Sequence, residues 1–143
     1  SLQREHATAQ RFFARATMVD RHFAYAHTLA GHEALSASDV DAAFNHYRAA
    51  IKVDSRHYNA WYGIGTVFYS QQQGALALSH FLRAIEIHPH SSVLHCYAGM
   101  AFQLNGEHSK ALQYLEKAVT LAPRNTMALF KRASVFASLG EFE

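Results

Sequence analysis

The sequence predicts an all-α solenoid of helix-turn-helix pairs, and two features of it carry that prediction. Gly31, Gly65, Gly99 and Ala133 stand 34 positions apart, as do Ala9, Ala43, Ala77 and Ala111. The same spacing relates Phe13, Tyr47, Phe81 and Leu115, and again Ala16, Ala50, Ala84 and Ala118. Columns of consistently small or bulky residues in one register mark a repeat in which each unit buries its apolar side on a neighbour. In addition, half of the 143 residues are hydrophobic, yet no run approaches the roughly 18 apolar residues of a membrane span.

Helices are expected in order over 3–19, 24–36, 39–52, 58–70, 74–87, 92–104 and 108–121, with an eighth over 126–139. Two helices cross closely only where side chains are small, which accounts for Gly or Ala at the eighth and twentieth positions of each unit. A bulky residue at the twenty-fourth (Tyr47, Phe81, Leu115) fills the space beside that crossing. Pro89 and Pro123 end helices because proline lacks the amide donor and clashes in a helix interior. Asn105 with Gly106, and Gly140, supply turns between the helices of a unit, a place taken elsewhere by Ser38 and Gln72.

These columns divide the chain into a partial repeat over 1–23, full repeats over 24–57, 58–91 and 92–125, and a first helix over 126–143. Both ends then fall inside repeats. Phe12, Phe13, Val135, Phe136 and Phe142 are expected to strand apolar surface there, so that the chain self-associates or is marginally stable.

Composition narrows the function. A formal charge of +2 and the lack of a Lys/Arg stripe argue against nucleic acid. The single cysteine, Cys96, leaves no internal disulfide and suits a reducing compartment. Charged residues make up 17%, below the usual figure of about 25%, which suggests surfaces covered by partners.

The clearest copy reads Trp61, Ile64, Gly65, Phe68, then Ala77, Phe81, Ala84 and Pro89. This skeleton resembles the tetratricopeptide repeat (TPR). The next copy keeps Gly99, Phe102, Ala111, Leu115, Ala118 and Pro123 but has His95 and Ala98 at the first large positions. The resemblance implies a right-handed superhelix whose concave face is lined by the first helix of each repeat. That lining is expected to hold Tyr25, Thr28, Leu29 and His32, then Asn59, Tyr62, Gly63, Thr66 and Tyr69. Val93, Cys96, Tyr97 and Met100 follow, and after them Met127, Phe130 and Lys131. Rings beside amides and hydroxyls suit an extended peptide, and Glu33 would pair with a basic side chain.

Longer words go beyond the generic skeleton: Phe23 to Glu33, Arg56 to Gly65, Pro89 to Leu94 and Lys131 to Val135. Together they resemble the C-terminal TPR superhelix of the anaphase-promoting complex (cyclosome) scaffold subunit. Tyr58, Asn59 and Tyr62 are the most specific, since the repeat core does not require them. The resemblance implies a non-catalytic scaffold of a nuclear ubiquitin ligase, present also in the cytoplasm, acting in mitosis and cell division. It implies a parent homodimer contacting neighbouring TPR subunits, with a groove for the C-terminal Ile-Arg tails of co-activators and a core subunit. Carried onto this sequence, the groove residues are Tyr25, His32, Glu33, Asn59, Tyr62 and Thr66.

Rival readings are a generic adaptor, a co-chaperone, an enzyme and a metal protein. A clamp for acidic tails needs Lys and Asn where this chain has Thr28 and His32. No catalytic residues are expected: Cys96 and His95 are sequence neighbours about 100° apart on a helix, poorly placed for nucleophilic chemistry. No cofactor or metal is expected either. His88, His90 and His95 lack a partnering cluster, and His27 and His32 miss the i, i+4 spacing that puts two imidazoles on one face.

Overall fold

A computed structural model of the chain describes residues 20–140, and every regular element among them is an α-helix. They are α1 (20–36, as far as described), α2 (Val40–Val53), α3 (Tyr58–Ser70), α4 (Gly74–Ile87), α5 (Ser92–Leu104), α6 (His108–Leu121) and α7 (Thr126–Gly140). The helix expected over 3–19, with Phe12, Phe13 and Phe142, lies outside the described residues. The chain divides into two compact units, Ser1–Ala60 and Trp61–Glu143.

In the first unit α2 starts at Asp39, whose carboxylate accepts from Ala42 N–H at 3.1 Å, satisfying one of the amides a helix start leaves open. Ala43, Tyr47 and Ala50 form its buried side. The glycine column explains the approach of α1: a Cβ on Gly31 would lie 2.6 Å from Tyr47 Cε1. Residues 20–23 are helical, ahead of the expected start at 24; Asp20 to Phe23 contain neither proline nor glycine to interrupt a helix.

The second unit repeats that contact. A Cβ on Gly65 would meet Phe81 Cε1 at 2.5 Å, and one on Gly99 would meet Leu115 Cγ at 2.7 Å. Helix α5 packs on α4, α6 and α7, so eight of its thirteen residues are buried. Ala77, Phe81, Ala98 and Ala101 make one part of the core; Phe102, Leu115, Ala118, Ala128 and Val135 make another. Burial of Val135 corrects the expectation that it would be stranded: it occupies the register position of Val67 and Ala101, which are buried as well. Phe136 does stand half-exposed.

Every described turn inside a helix pair uses one left-handed residue at the same register position: Ser38 (φ 62°), Gln72 (φ 63°) and Gly106 (φ 81°). Gly140, the next in that column, is instead the last helical residue of α7. Gly74 is no turn residue either. It opens α4, buried, and a Cβ there would run into the Asn105 side chain at the end of α5.

Candidate functional site

The six residues expected to bind a peptide fall on two helices. Tyr25, His32 and Glu33 are exposed on α1, and Asn59 is half-buried in the first turn of α3; all four belong to the first unit. Tyr62 and Thr66, one helical turn apart on α3 and half-buried, belong to the second.

On α1 Tyr25 and His32 are seven residues apart, two helical turns, so they share a face, and Leu29 stands exposed between them. His32 is tied down from below: Tyr47 Oη lies 2.6 Å from its Nδ1, with the rings edge-on at 66° and 5.4 Å between centroids. Glu33 is exposed and makes no ion pair among the described residues. Its register position is filled by buried Val67, Ala101 and Val135 in the other repeats, so a carboxylate there is not a packing requirement. Thr28, expected beside them, is buried, and its hydroxyl donates to Ala24 O of the same helix at 3.0 Å. It is therefore withdrawn from the lining.

In the second unit Tyr62 meets Tyr97 edge to face, 5.1 Å between centroids at 83°. Both rings approach Phe81, at 6.2 Å and 5.5 Å. Such T-shaped pairs are favourable beyond their buried area. Thr66 donates its hydroxyl to Gly63 O at 2.7 Å, which leaves its oxygen to act as an acceptor. The pairing of Tyr62 with Tyr97 was open to the sequence, because 35 residues are one repeat plus one step along the helix.

Cys96 and Met100 are buried, with the thiol 4.0 Å from the thioether sulfur, and Gly63 is buried too. This corrects their expected place in the lining: the helices packed on α5 cover the side that carries Cys96 and Met100. Burial pushes the Cys96 thiol up to about 11, against the pull of Lys131, so it stays protonated at neutral pH and is a poor nucleophile. Among the described residues no three His, Cys, Asp or Glu gather as a metal set, and no helix is long and apolar enough to cross a membrane.

Tetratricopeptide-repeat models match residues 28–92 and 95–125. The chain belongs to the tetratricopeptide-repeat family. Solved TPR domains have the same fold. The first TPR domain of Spaghetti (RPAP3), bound to the HSP90 peptide SRMEEVD, superposes with a TM-score of 0.80 at 16% identity, covering 84% of this chain and 95% of that one. The N-terminal domain of stress-induced protein-1 from C. elegans gives 0.71 at 20% identity, covering 81% and 96%.

Sequence relatives are more specific. Anaphase-promoting complex subunit 3 of Schizosaccharomyces pombe is 39% identical over all 143 residues, which span 22% of that protein. Protein bimA of Emericella nidulans is 48% identical over 96 residues, 67% of this chain and 12% of its own length. Cell division cycle protein 27 homolog B of Arabidopsis thaliana is 37% identical over 139 residues, 97% of this chain and 19% of its own. The resemblance read from Phe23–Glu33 and Arg56–Gly65 is borne out: the homologues of this TPR chain are APC3/Cdc27 subunits, and the chain spans about a fifth or less of their length.

Proposed function

We propose that the chain is a non-catalytic protein-binding part of an anaphase-promoting complex subunit, and that it grips the C-terminal Ile-Arg tails of co-activators and of a core subunit. The observation that carries this is the 39% identity to subunit 3 of that complex along the whole chain. Repeats over 24–57, 58–91 and 92–125, between partial repeats at 1–23 and 126–143, supply the binding helices. The parent protein is a homodimer in the nucleus, also present in the cytoplasm, with neighbouring TPR subunits as further partners.

The chemistry of the six residues supports the reading. Exposed Glu33 is an acceptor that a guanidinium can engage through two parallel hydrogen bonds. His32 and the Asn59 amide are donors for a terminal carboxylate. Tyr25 in the first unit offers ring surface to an apolar side chain; within the second unit Tyr62 offers ring surface as well, and Thr66 is an acceptor for a peptide N–H. An acidic-tail clamp is disfavoured, since Thr28 is buried and its hydroxyl is engaged within its own helix.

Glu33→Ala and Asn59→Ala are each expected to weaken binding of an Ile-Arg-ended peptide, Glu33→Ala by about ten-fold or more, the worth of a charge-assisted hydrogen bond. Titration calorimetry measures the affinity, and circular dichroism checks that helical content is kept. Unchanged affinity in both variants removes the site.

A further inference from the structure

Tyr47 carries a hydroxyl that its packing place does not call for. Tyr47, Phe81 and Leu115 occupy one register column and press against Gly31, Gly65 and Gly99 in the same way. Leucine and phenylalanine serve there, so bulk is all the crossing needs. The phenol oxygen is an addition, and it is enclosed: Tyr47 is 0% exposed. A buried hydroxyl proton cannot turn to water and needs an acceptor within the protein. Its partner is His32 Nδ1 at 2.6 Å. The register column of His32 holds Thr66, Met100 and Ser134 in the other repeats. Both halves of the pair thus occur together, in one repeat.

The direction of that hydrogen bond follows. Burial raises the phenol to about 12, so it keeps its proton at any working pH. If Nδ1 carried the imidazole proton, the phenol proton would be left facing no acceptor among the described residues. Nδ1 therefore accepts, and in the neutral ring the proton sits on Nε2. His32 is exposed on α1, so the donor is held at the surface in one tautomer and one orientation. A donor already fixed spares a ligand the ordering cost of a free side chain.

We propose that Tyr47 is a positioning residue: its buried hydroxyl locks His32 as an Nε2–H donor, and that donor reads a carboxylate oxygen at the end of the bound tail. The proposal rests on the tail-binding function above and adds a residue that never touches the tail.

The test joins a spectroscopic readout to a binding one. Tyr47→Phe keeps the ring against Gly31 and removes only the oxygen. Nitrogen-15 spectra of the His32 imidazole above pH 8 should show the Nε2–H tautomer in the unaltered chain and a mixture in Tyr47→Phe. Affinity for an Ile-Arg-ended peptide should fall by about five-fold in Tyr47→Phe, the worth of one hydrogen bond. His32→Ala should lose at least as much, and the double variant no more than His32→Ala alone. An Nδ1–H tautomer in the unaltered chain, or a tautomer indifferent to Tyr47→Phe, overturns the proposal. So does a tautomer that responds while affinity holds. Loss of binding in Glu33→Ala and Asn59→Ala, with Tyr47→Phe and His32→Ala unaffected, overturns the positioning role alone. Indifference of all four variants overturns the tail site with it.

Discussion

His57 stands where the following repeats put a capping side chain. At the same register position Ser91 accepts from Leu94 N–H at 3.2 Å and Asn125 accepts from Ala128 N–H at 3.1 Å. Nε2 of His57 is enclosed with no hydrogen-bond partner. Burial lowers its pKa from the usual 6.5; Asp54 opposes the shift and His32 adds to it. With the folded value below the unfolded one, the unfolded chain binds the proton more readily, so stability is fullest above pH 6.5 and falls as acidification passes toward the lowered value. The melting temperature is expected to drop between about pH 7 and pH 5. His57→Ser should flatten that slope and stabilise the chain by about 1 kcal/mol, by restoring a cap. An identical slope in the variant would show that His57 is not the group responsible. The sequence placed His57 in its repeat but could not disclose this, because the effect depends on a nitrogen being shut away from water. The same holds for Thr28, Cys96 and Met100, whose positions were right and whose exposure was not.

At the level of helices and turns, legibility was high because each boundary has a local cause. Helices α3, α4, α5 and α6 run over 58–70, 74–87, 92–104 and 108–121, as the period implies. Proline, the turn residues and the small-residue columns act within a few positions of themselves. Gly74 was harder to read, since its reason is the Asn105 side chain of another helix. Two substitutions test this scale in opposite directions. Gly65→Ala must force a methyl into Phe81, itself fully buried, and should cost about 1–3 kcal/mol. Gln72→Gly relieves a left-handed backbone (φ 63°) and should gain roughly 0.5–1 kcal/mol. Urea unfolding at fixed pH measures both, and a neutral Gly65→Ala would mean that the helix crossing is not tight.

For the whole molecule, the repeat period specifies a TPR fold and says nothing of the guest. What distinguishes this chain is what the period leaves unconstrained: an exposed Glu33 where other repeats bury Val67 or Ala101, His32 braced by Tyr47, and Asn59 with Tyr62 on α3. Asn59 and Tyr62 were visible in the sequence as residues that the repeat core does not require, and Glu33 as a candidate partner for a basic side chain. The bracing of His32 was not, because Tyr47 fills a core position and its hydroxyl has a role only once α1 lies over it. Exposed Phe136 on α7 belongs to the apolar surface through which the chain is expected to self-associate.

The central claim is that this chain recognises the last two residues of a tail. Calorimetric titration with an Ile-Arg-ended peptide, against the same peptide lacking those two residues, tests it most directly. One-to-one binding of the first, with a loss of at least ten-fold for the second, about 1.4 kcal/mol or more, is the result expected. Equal affinity for the two peptides, or no binding of either, would contradict it.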